Sequence, residues 1–582
     1  MAAAPRTLRL DYFHGGTATE EHLSLDGLVL EGPWPGRPDR TMDDTNLGKY
    51  YFEVLDRKTN RVLYSRGFAS IFGEWAETPE AKEIRRQFHE SLRFPAPAAP
   101  VQVIVKKRDR RNAFQQMWSI IVDPADPAID RSGPPASVKS WAVMQNGEPR
   151  DKVDLLLMGD GYTAAEMDKW HKDARRMAGL LFAVSPFKER RGDFNVWAVD
   201  TPAEESGVSR PSDSVYRRSP LRAGYDAFGS ERYVLTFDNK RMREAASAAP
   251  YEFIEIVVND RKYGGGGIFN LYATVAADNA FTPYVFVHEF GHHFAGLADE
   301  YYTSDVAYEA ATERPEPWEP NVTADPRAAK WSALIAPGTP LPTPWPKEQF
   351  EALEKQIQAR RRQIRAEHLP EDEMEALFRE EREKDTALLA SGPYGHSVGA
   401  FEGAMYEGRG YYRPQADCIM FTRDEVGFCA ACRRAIERII DLYASANSGS
   451  ELRLGRRQLP RRAGILEAGA RVRPVAEGLI CRLPAAAQRN HRAARQSELA
   501  ALRVAYGEVA FDADRSVIQR RDLSGHAPDG NMPASVVGGF SAGGGSYAVA
   551  FPRSVVPGLR TPTTKPSPSC RSQPAPSARP SI

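Results

Sequence analysis

Residues 284–302, Tyr-Val-Phe-Val-His-Glu-Phe-Gly-His-His-Phe-Ala-Gly-Leu-Ala-Asp-Glu-Tyr-Tyr, constrain this chain more than any other stretch. An apolar run leads into it, so the segment belongs in an interior. Residues four apart share one helix face, and His288 and His292 therefore present two imidazoles to one point. Burying two histidines beside a glutamate is costly unless they are paired or bind a metal. The pattern predicts a buried helix carrying a zinc site, with zinc–nitrogen bonds of about 2.0–2.1 Å. Glu289 lies one residue along. A zinc ion acidifies water towards a pKa of about 7, and a neighbouring carboxylate can take the proton. His288, Glu289 and His292 thus supply what amide hydrolysis needs, with Glu289 as general base. His293 points off this face and is expected to be structural.

A catalytic zinc needs a third protein ligand and an open position. Gly296 lets the chain leave the helix with positive φ. Asp299 follows three residues later and is the expected third ligand; Glu300 comes next and Glu402 after it. If Asp299 ligates, Glu300 faces the other way and is expected to hold an imidazole from behind. Helix, glycine turn and returning ligand resemble the metzincin arrangement, with a shift of one residue. The metzincin positions for the glycine and the third ligand hold Ala295 and Ala298 here. One zinc ion per chain is expected.

The rest of the chain is ordinary soluble composition: 582 residues, 42% hydrophobic and 26% charged, with 77 basic and 77 acidic side chains. Zero formal charge points away from nucleic acid and anionic membranes. No apolar run reaches the roughly 18 residues of a membrane span. Residues 1–20 read as an N-terminal extension with no legible signal peptide. Residues 21–135 read as a small all-β sandwich, with strand patterns at 50–55, 101–105 and 118–122. From 136 to 445 strands alternate with helices, which means an α/β (α+β) layered domain. Val153–Met158, Phe194–Val199 and Phe253–Val258 are its strands. Thr163 and Glu166 form a capping box for the helix that follows. Residues 347–390, dense in Glu, Lys, Arg, Ala and Leu with Pro370 between two halves, predict a helical hairpin inserted as a solvated strut. Residues 446–582 are rich in Arg, Pro and Ala, with disorder expected in much of that tail.

Several ordered stretches beyond the histidine helix resemble the IgA-peptidase family of bacterial zinc metallopeptidases. They include Leu157-Met158-Gly159-Asp160-Gly161-Tyr162-Thr163, Tyr263-Gly264-Gly265-Gly266-Gly267-Ile268-Phe269-Asn270, Asn321-Val322-Thr323, Phe401-Glu402-Gly403-Ala404, and Tyr412-Arg413-Pro414 leading to Cys418-Ile419-Met420. The resemblance covers roughly residues 20–445. It implies a zincin-type domain behind an N-terminal β domain, zinc on His288 and His292, Glu289 as base, and a protein or peptide substrate. It also implies an exported protein, secreted or periplasmic, where the residues alone leave a cytoplasmic protein open. Met420 stands where a metzincin methionine turn would be, or is an ordinary core methionine.

Softer readings concern other residues. Tyr412 is a candidate to donate to the oxyanion of a tetrahedral intermediate; a tyrosine packed under a loop is the plainer alternative. Gly264–Gly267 is either a flexible loop or an edge where substrate backbone approaches. The chain has five cysteines and none in its first 417 residues, which argues against a disulfide scaffold. Cys418, Cys429 and Cys432, without a fitting histidine, read as a disulfide or free thiols before a second metal site. Two other functions stay open: a binding module of the same fold that hydrolyses nothing, and a metallohydrolase for a non-peptide amide. The oligomeric state is not legible.

Overall fold

The computed structural model describes residues 5–304, 313–424 and 426–445. The tail expected from 446 onward lies outside them.

Seven antiparallel strands come first: β1 (Arg6–Gly16), β2 (Glu21–Pro33), β3 (Tyr50–Asp56), β4 (Val62–Phe68), β5 (Arg86–Pro95), β6 (Val101–Arg108) and β7 (Phe114–Val122). They form sheets of order β2-β1-β5 and β4-β3-β6-β7. Alternation places Tyr50, Phe52 and Val54 of β3, Leu92 and Phe94 of β5, and Val101, Val103 and Val105 of β6 in one shared core. Two short helices, α1 (Ile71–Trp75) and α2 (Glu80–Glu83), join β4 to β5.

The all-β region thus begins at Arg6, and the first 20 residues are no mere extension: β1 is the central strand of its sheet. Its second face hides this in the sequence, because Arg9 and Asp11 look like solvent-facing residues. Both are buried. Arg9 Nε donates to Asp11 Oδ1 at 2.8 Å, and its Nη1 donates to Glu31 Oε1 at 2.8 Å. Arg93 on β5 pairs with the same Glu31 at 3.0 Å and donates to the carbonyl of Tyr251 at 2.8 Å, tying this sheet to the following domain.

That domain is built on a six-stranded sheet. Its strands are β8 (Lys139–Met144), β9 (Val153–Asp160), β10 (Phe194–Asp200), β11 (Phe253–Val258), β12 (Gly265–Ile268) and β13 (Tyr272–Ala276), in the order β12-β13-β11-β9-β10-β8. The four inner strands are parallel; β8 and β12 run antiparallel at the edges. Every residue of β9 and of β11 is buried, as expected for parallel strands covered on both faces. The capping box forms as read: Thr163 N donates to Glu166 Oε2 at 2.9 Å and precedes helix α3 (Met167–Leu181). Helix α4 (Asn239–Ala246) packs on β5 of the sandwich. Helix α5 (Thr282–Ala295) packs on β12 and β13 and against α3. Its underside is aromatic: Phe294 lies 4.5 Å from Phe253 and 5.2 Å from Phe290, ring centre to ring centre.

Helices α6 (Lys347–Ala366) and α7 (Glu371–Ala390) form the expected hairpin around Pro370. It is not a solvated strut. Phe350, Ile357, Ile364, Met374, Phe378 and Leu389 are buried in the main core. Phe378 stands edge-on to Phe281, just ahead of α5, at 5.4 Å, and to Tyr263 at 5.0 Å. The buried stripe also carries Glu354, Arg361, Glu381 and Asp385, so its composition reads as surface. Glu381 is matched by Arg423 at 2.6 Å. A hairpin of β14 (Phe401–Ala404) and β15 (Glu407–Arg413) and helix α8 (Ala430–Tyr443) complete the domain. Among the described residues, no helix is long and apolar enough to cross a membrane.

Phe378→Ala tests the packing of the hairpin. Removal of a buried phenyl ring costs about 3–5 kcal/mol, whereas a solvated strut would lose under about 0.5 kcal/mol. Denaturant unfolding of the variant measures which.

Candidate active site

Helix α5 ends at Gly296, whose φ of 59° places it in the left-handed region. Gly296 N donates to His292 O at 3.0 Å, the single bond of an αL cap, and Leu297 N donates to Gly291 O at 3.4 Å. The reversal then runs back along the helix. Asn321 grips Ala298 through both its N–H (2.8 Å) and its carbonyl (2.9 Å), which fixes the path of the next residue.

That residue, Asp299, returns to the histidines as its spacing predicts. Asp299 Oδ1 lies 3.0 Å from His288 Nε2 and 3.2 Å from His292 Nε2, and the two Nε2 atoms are 3.1 Å apart. The other nitrogen of each ring is already committed. His288 Nδ1 donates to Ile419 O at 2.8 Å and His292 Nδ1 to Leu297 O at 2.6 Å. A carbonyl can only accept, so as neutral imidazoles both rings face the centre with an Nε2 lone pair. Three lone-pair atoms at these separations are held together by a cation between them, either a metal ion or a proton shared between imidazole and carboxylate. A tetrahedral zinc ion with bonds of about 2.0–2.1 Å would hold its ligands about 3.3 Å apart, so the residues fit that ion.

Tyr406 OH donates to Asp299 Oδ2 at 2.5 Å. Burial acts to raise the Asp299 carboxyl, but His292 and His288 outweigh it and hold it well below the usual carboxylate range. Burial raises the Glu289 carboxyl, with the two imidazoles opposing. His293 is structural, as expected: it accepts from Ile254 N at 3.1 Å, donates to Ile268 O at 3.0 Å, and burial pushes it down to about 3. Met420 is buried beneath the site, where a β-carbon added to Gly291 would come 3.2 Å from its sulfur.

His288, Glu289, His292 and Asp299 open onto a cleft of about 580 Å³. Its walls include Arg232, Tyr301 and Trp318, and from the β sandwich Lys49, Arg108 and Asn112. Arg232 donates to Tyr301 OH at 3.2 Å. The glycines of β12 lie in contact with α5. A β-carbon at Gly267 would stand 2.3 Å from Glu289 O, and one at Gly265 would stand 2.6 Å from Val285. Close approach to the helix is thus what these two glycines serve; they are not a flexible loop. Gly265 also bonds through its N–H and carbonyl to Arg232 and Val234, at 3.1 Å each, so this part of the edge is already paired.

Other residues singled out in the sequence lie elsewhere. Tyr412 is not among the residues lining the cleft; its backbone pairs with Thr323. Tyr406, in the turn of the same hairpin, reaches Asp299. No local pattern reveals Tyr406, since its position depends on folding 107 residues of separation back on Asp299. Glu402 pairs with Lys347 at 2.7 Å, away from the histidines. Glu300 holds no imidazole: its carboxylate faces Cys429 and Cys432, because Ile419 O already occupies His288 Nδ1.

Residues 142–440 match the family described as IgA Peptidase M64, and residues 2–119 match the one described as Peptidase M64 N-terminus. The chain belongs to peptidase family M64. It is therefore a peptidase, with protein or peptide as substrate. The N-terminal match begins at residue 2, in accord with the place of β1 in the sandwich. No curated protein matches this M64 chain.

Gly267→Ala should force β12 off α5 and cost about 1–3 kcal/mol. Gly179→Ala, exposed on α3 with no atom in the way, should be neutral or stabilising by up to about 1 kcal/mol. Thermal melts of the two variants compare them directly; equal midpoints would mean β12 is not held where it is described.

Proposed function

We propose that this M64 peptidase is a zinc-dependent endopeptidase, with the ion on His288, His292 and Asp299 and Glu289 as general base. The observation that carries the reading is the triangle of lone-pair atoms with sides of 3.0–3.2 Å beside a half-buried carboxylate on the same helix. A zinc ion held there supplies Lewis acidity, which acidifies water and polarises the scissile carbonyl.

The chain's own residues do the rest. Glu289 faces the cleft one residue from His288 and takes the proton of the attacking water; it then passes that proton to the leaving amine. Ile419 O and Leu297 O fix the tautomer and the plane of each imidazole, and Tyr406 fixes the rotation of the Asp299 carboxylate. Arg232 and Tyr301 line the cleft as N–H and O–H donors for the carbonyl oxygen that becomes negative. The role first given to Tyr412 is better placed on this pair. Met420 beneath the site and the reversal at Gly296 make the arrangement metzincin-like. A cleft with walls from both domains suits an extended chain bound on both sides of the cut, hence an endopeptidase. A binding module that hydrolyses nothing would gain little from Glu289 at this position, and family membership disfavours a non-peptide amide.

His288→Ala should remove one equivalent of zinc, read by elemental analysis, and abolish chelator-sensitive casein cleavage. Unchanged zinc in that variant would sink the assignment. Glu289→Gln should keep the ion yet lower turnover by about 10³-fold, the order expected for loss of a general base; near-normal turnover would rule out its role. Asp299→Ala should lose zinc to a competing chelator far more readily than Tyr406→Phe, which removes an orienting bond and not a ligand. The reverse order would exchange their roles.

A further inference from the structure

We infer that Cys418, Cys429, Cys432 and Glu300 form a second zinc site, structural in role, directly behind the first. All four side chains are buried, and their ligand atoms lie within 4.8 Å of one another. Cys418 Sγ is 3.9 Å from Cys432 Sγ; Glu300 Oε1 is 3.3 Å from Cys432 Sγ and 3.9 Å from Cys429 Sγ. With metal–sulfur bonds of about 2.3 Å and a metal–oxygen bond of about 2.0–2.2 Å, a tetrahedral ion has sulfur–sulfur edges of about 3.8 Å and sulfur–oxygen edges of about 3.5 Å. The observed edges match. A disulfide, with sulfurs about 2.05 Å apart, does not; the three cysteines are unbridged.

The surroundings are those of a metal–thiolate site. Cys429 caps α8, and backbone N–H groups point at sulfur: Cys429 N to Cys418 Sγ at 3.2 Å and Cys432 N to Cys429 Sγ at 3.5 Å. Asn321 Nδ2 orients Glu300 Oε1 at 2.9 Å, while Oε2 is buried with no hydrogen-bond partner. The guanidinium of Arg413, fully buried, is close enough to act on both Glu300 and Cys418, which offsets the excess negative charge of three thiolates and a carboxylate around one dication. A fourth ligand was not legible beside the cysteines, because Glu300 precedes Cys429 and Cys432 by 129 and 132 residues.

The second site would brace the first. Asp299 turns to the histidines and Glu300 to the cysteines. Glu300 N donates to Met420 O at 2.8 Å, and Ile419 O, next to Cys418, receives His288 Nδ1. One ion would thus clamp the returning strand to the segment that orients His288, raising the expected zinc content from one to two per chain.

The His288→Ala, His292→Ala double variant of the full chain isolates the second site. It should retain one zinc by elemental analysis, released by a mercurial reagent as three of the chain's five thiols titrate. Exchange with cobalt(II) should give thiolate-to-metal charge-transfer absorption. A double variant that binds no zinc or cobalt, or mass and thiol counts showing a disulfide among these three cysteines, would overturn the inference whatever the histidine site does. Cys429→Ser with Cys432→Ser, in a chain with both histidines, should fall from two zinc ions to one if it folds. Should it fail to fold, the histidine variant still decides.

Discussion

Three lone-pair atoms, Nε2 of His288, Nε2 of His292 and Oδ1 of Asp299, are held about 3 Å apart in a buried place, and the surrounding fold is arranged to keep them there. Such a cluster repels itself unless a cation joins it, so each member must be fixed from behind. The imidazoles are fixed by two carbonyls, the carboxylate by Tyr406, and the backbone of the returning strand by Asn321. Each support comes from a different part of the chain. The helix supplies two groups, the Gly296 reversal brings the third, and the β14–β15 hairpin and the Ile419–Met420 segment contact the carboxylate and an imidazole.

Helix α5 can take this position because the sheet beneath it makes room. Glycines in β12 allow backbone to approach backbone, and the aromatic layer of Phe253, Phe290 and Phe294 fills the space on the far side. His293 bonds the helix to both β11 and β12 as a neutral imidazole. The histidine that does not face the cleft thus sets the height of the two that do. The helical hairpin covers the start of the same helix through Phe378 and Phe281. Lys49, Arg108 and Asn112 of the β sandwich line the same cleft, so the N-terminal domain is not a detached module.

The adjacent residues Asp299 and Glu300 divide between two clusters with different chemistry. An oxygen joins two nitrogens in an open cleft on one side; an oxygen joins three sulfurs in a closed interior on the other. Soft thiolates and full burial suit a structural ion, while mixed nitrogen and oxygen donors beside a cavity suit a reactive one. Ions on both sides would hold the Asp299–Glu300 backbone between them.

The sequence by itself determined the histidine helix, its glycine cap and the return of Asp299, because each rests on local rules: helical period, the left-handed freedom of glycine, and a fixed number of residues to the carboxylate. It determined three inner strands of the sheet and the Thr163–Glu166 cap for the same reason. It misjudged elements with charge on a buried face, β1 and the α6–α7 hairpin, since composition cannot tell a solvated charge from one matched across a core. Only the tertiary structure decided that Tyr406 meets Asp299 while Tyr412 lies off the cleft, that Glu300 faces sulfur and not imidazole, and that Gly265 and Gly267 serve contact with α5. Those outcomes depend on contacts between segments over a hundred residues apart, or between a strand and a helix, and no pattern along the chain encodes where such segments meet.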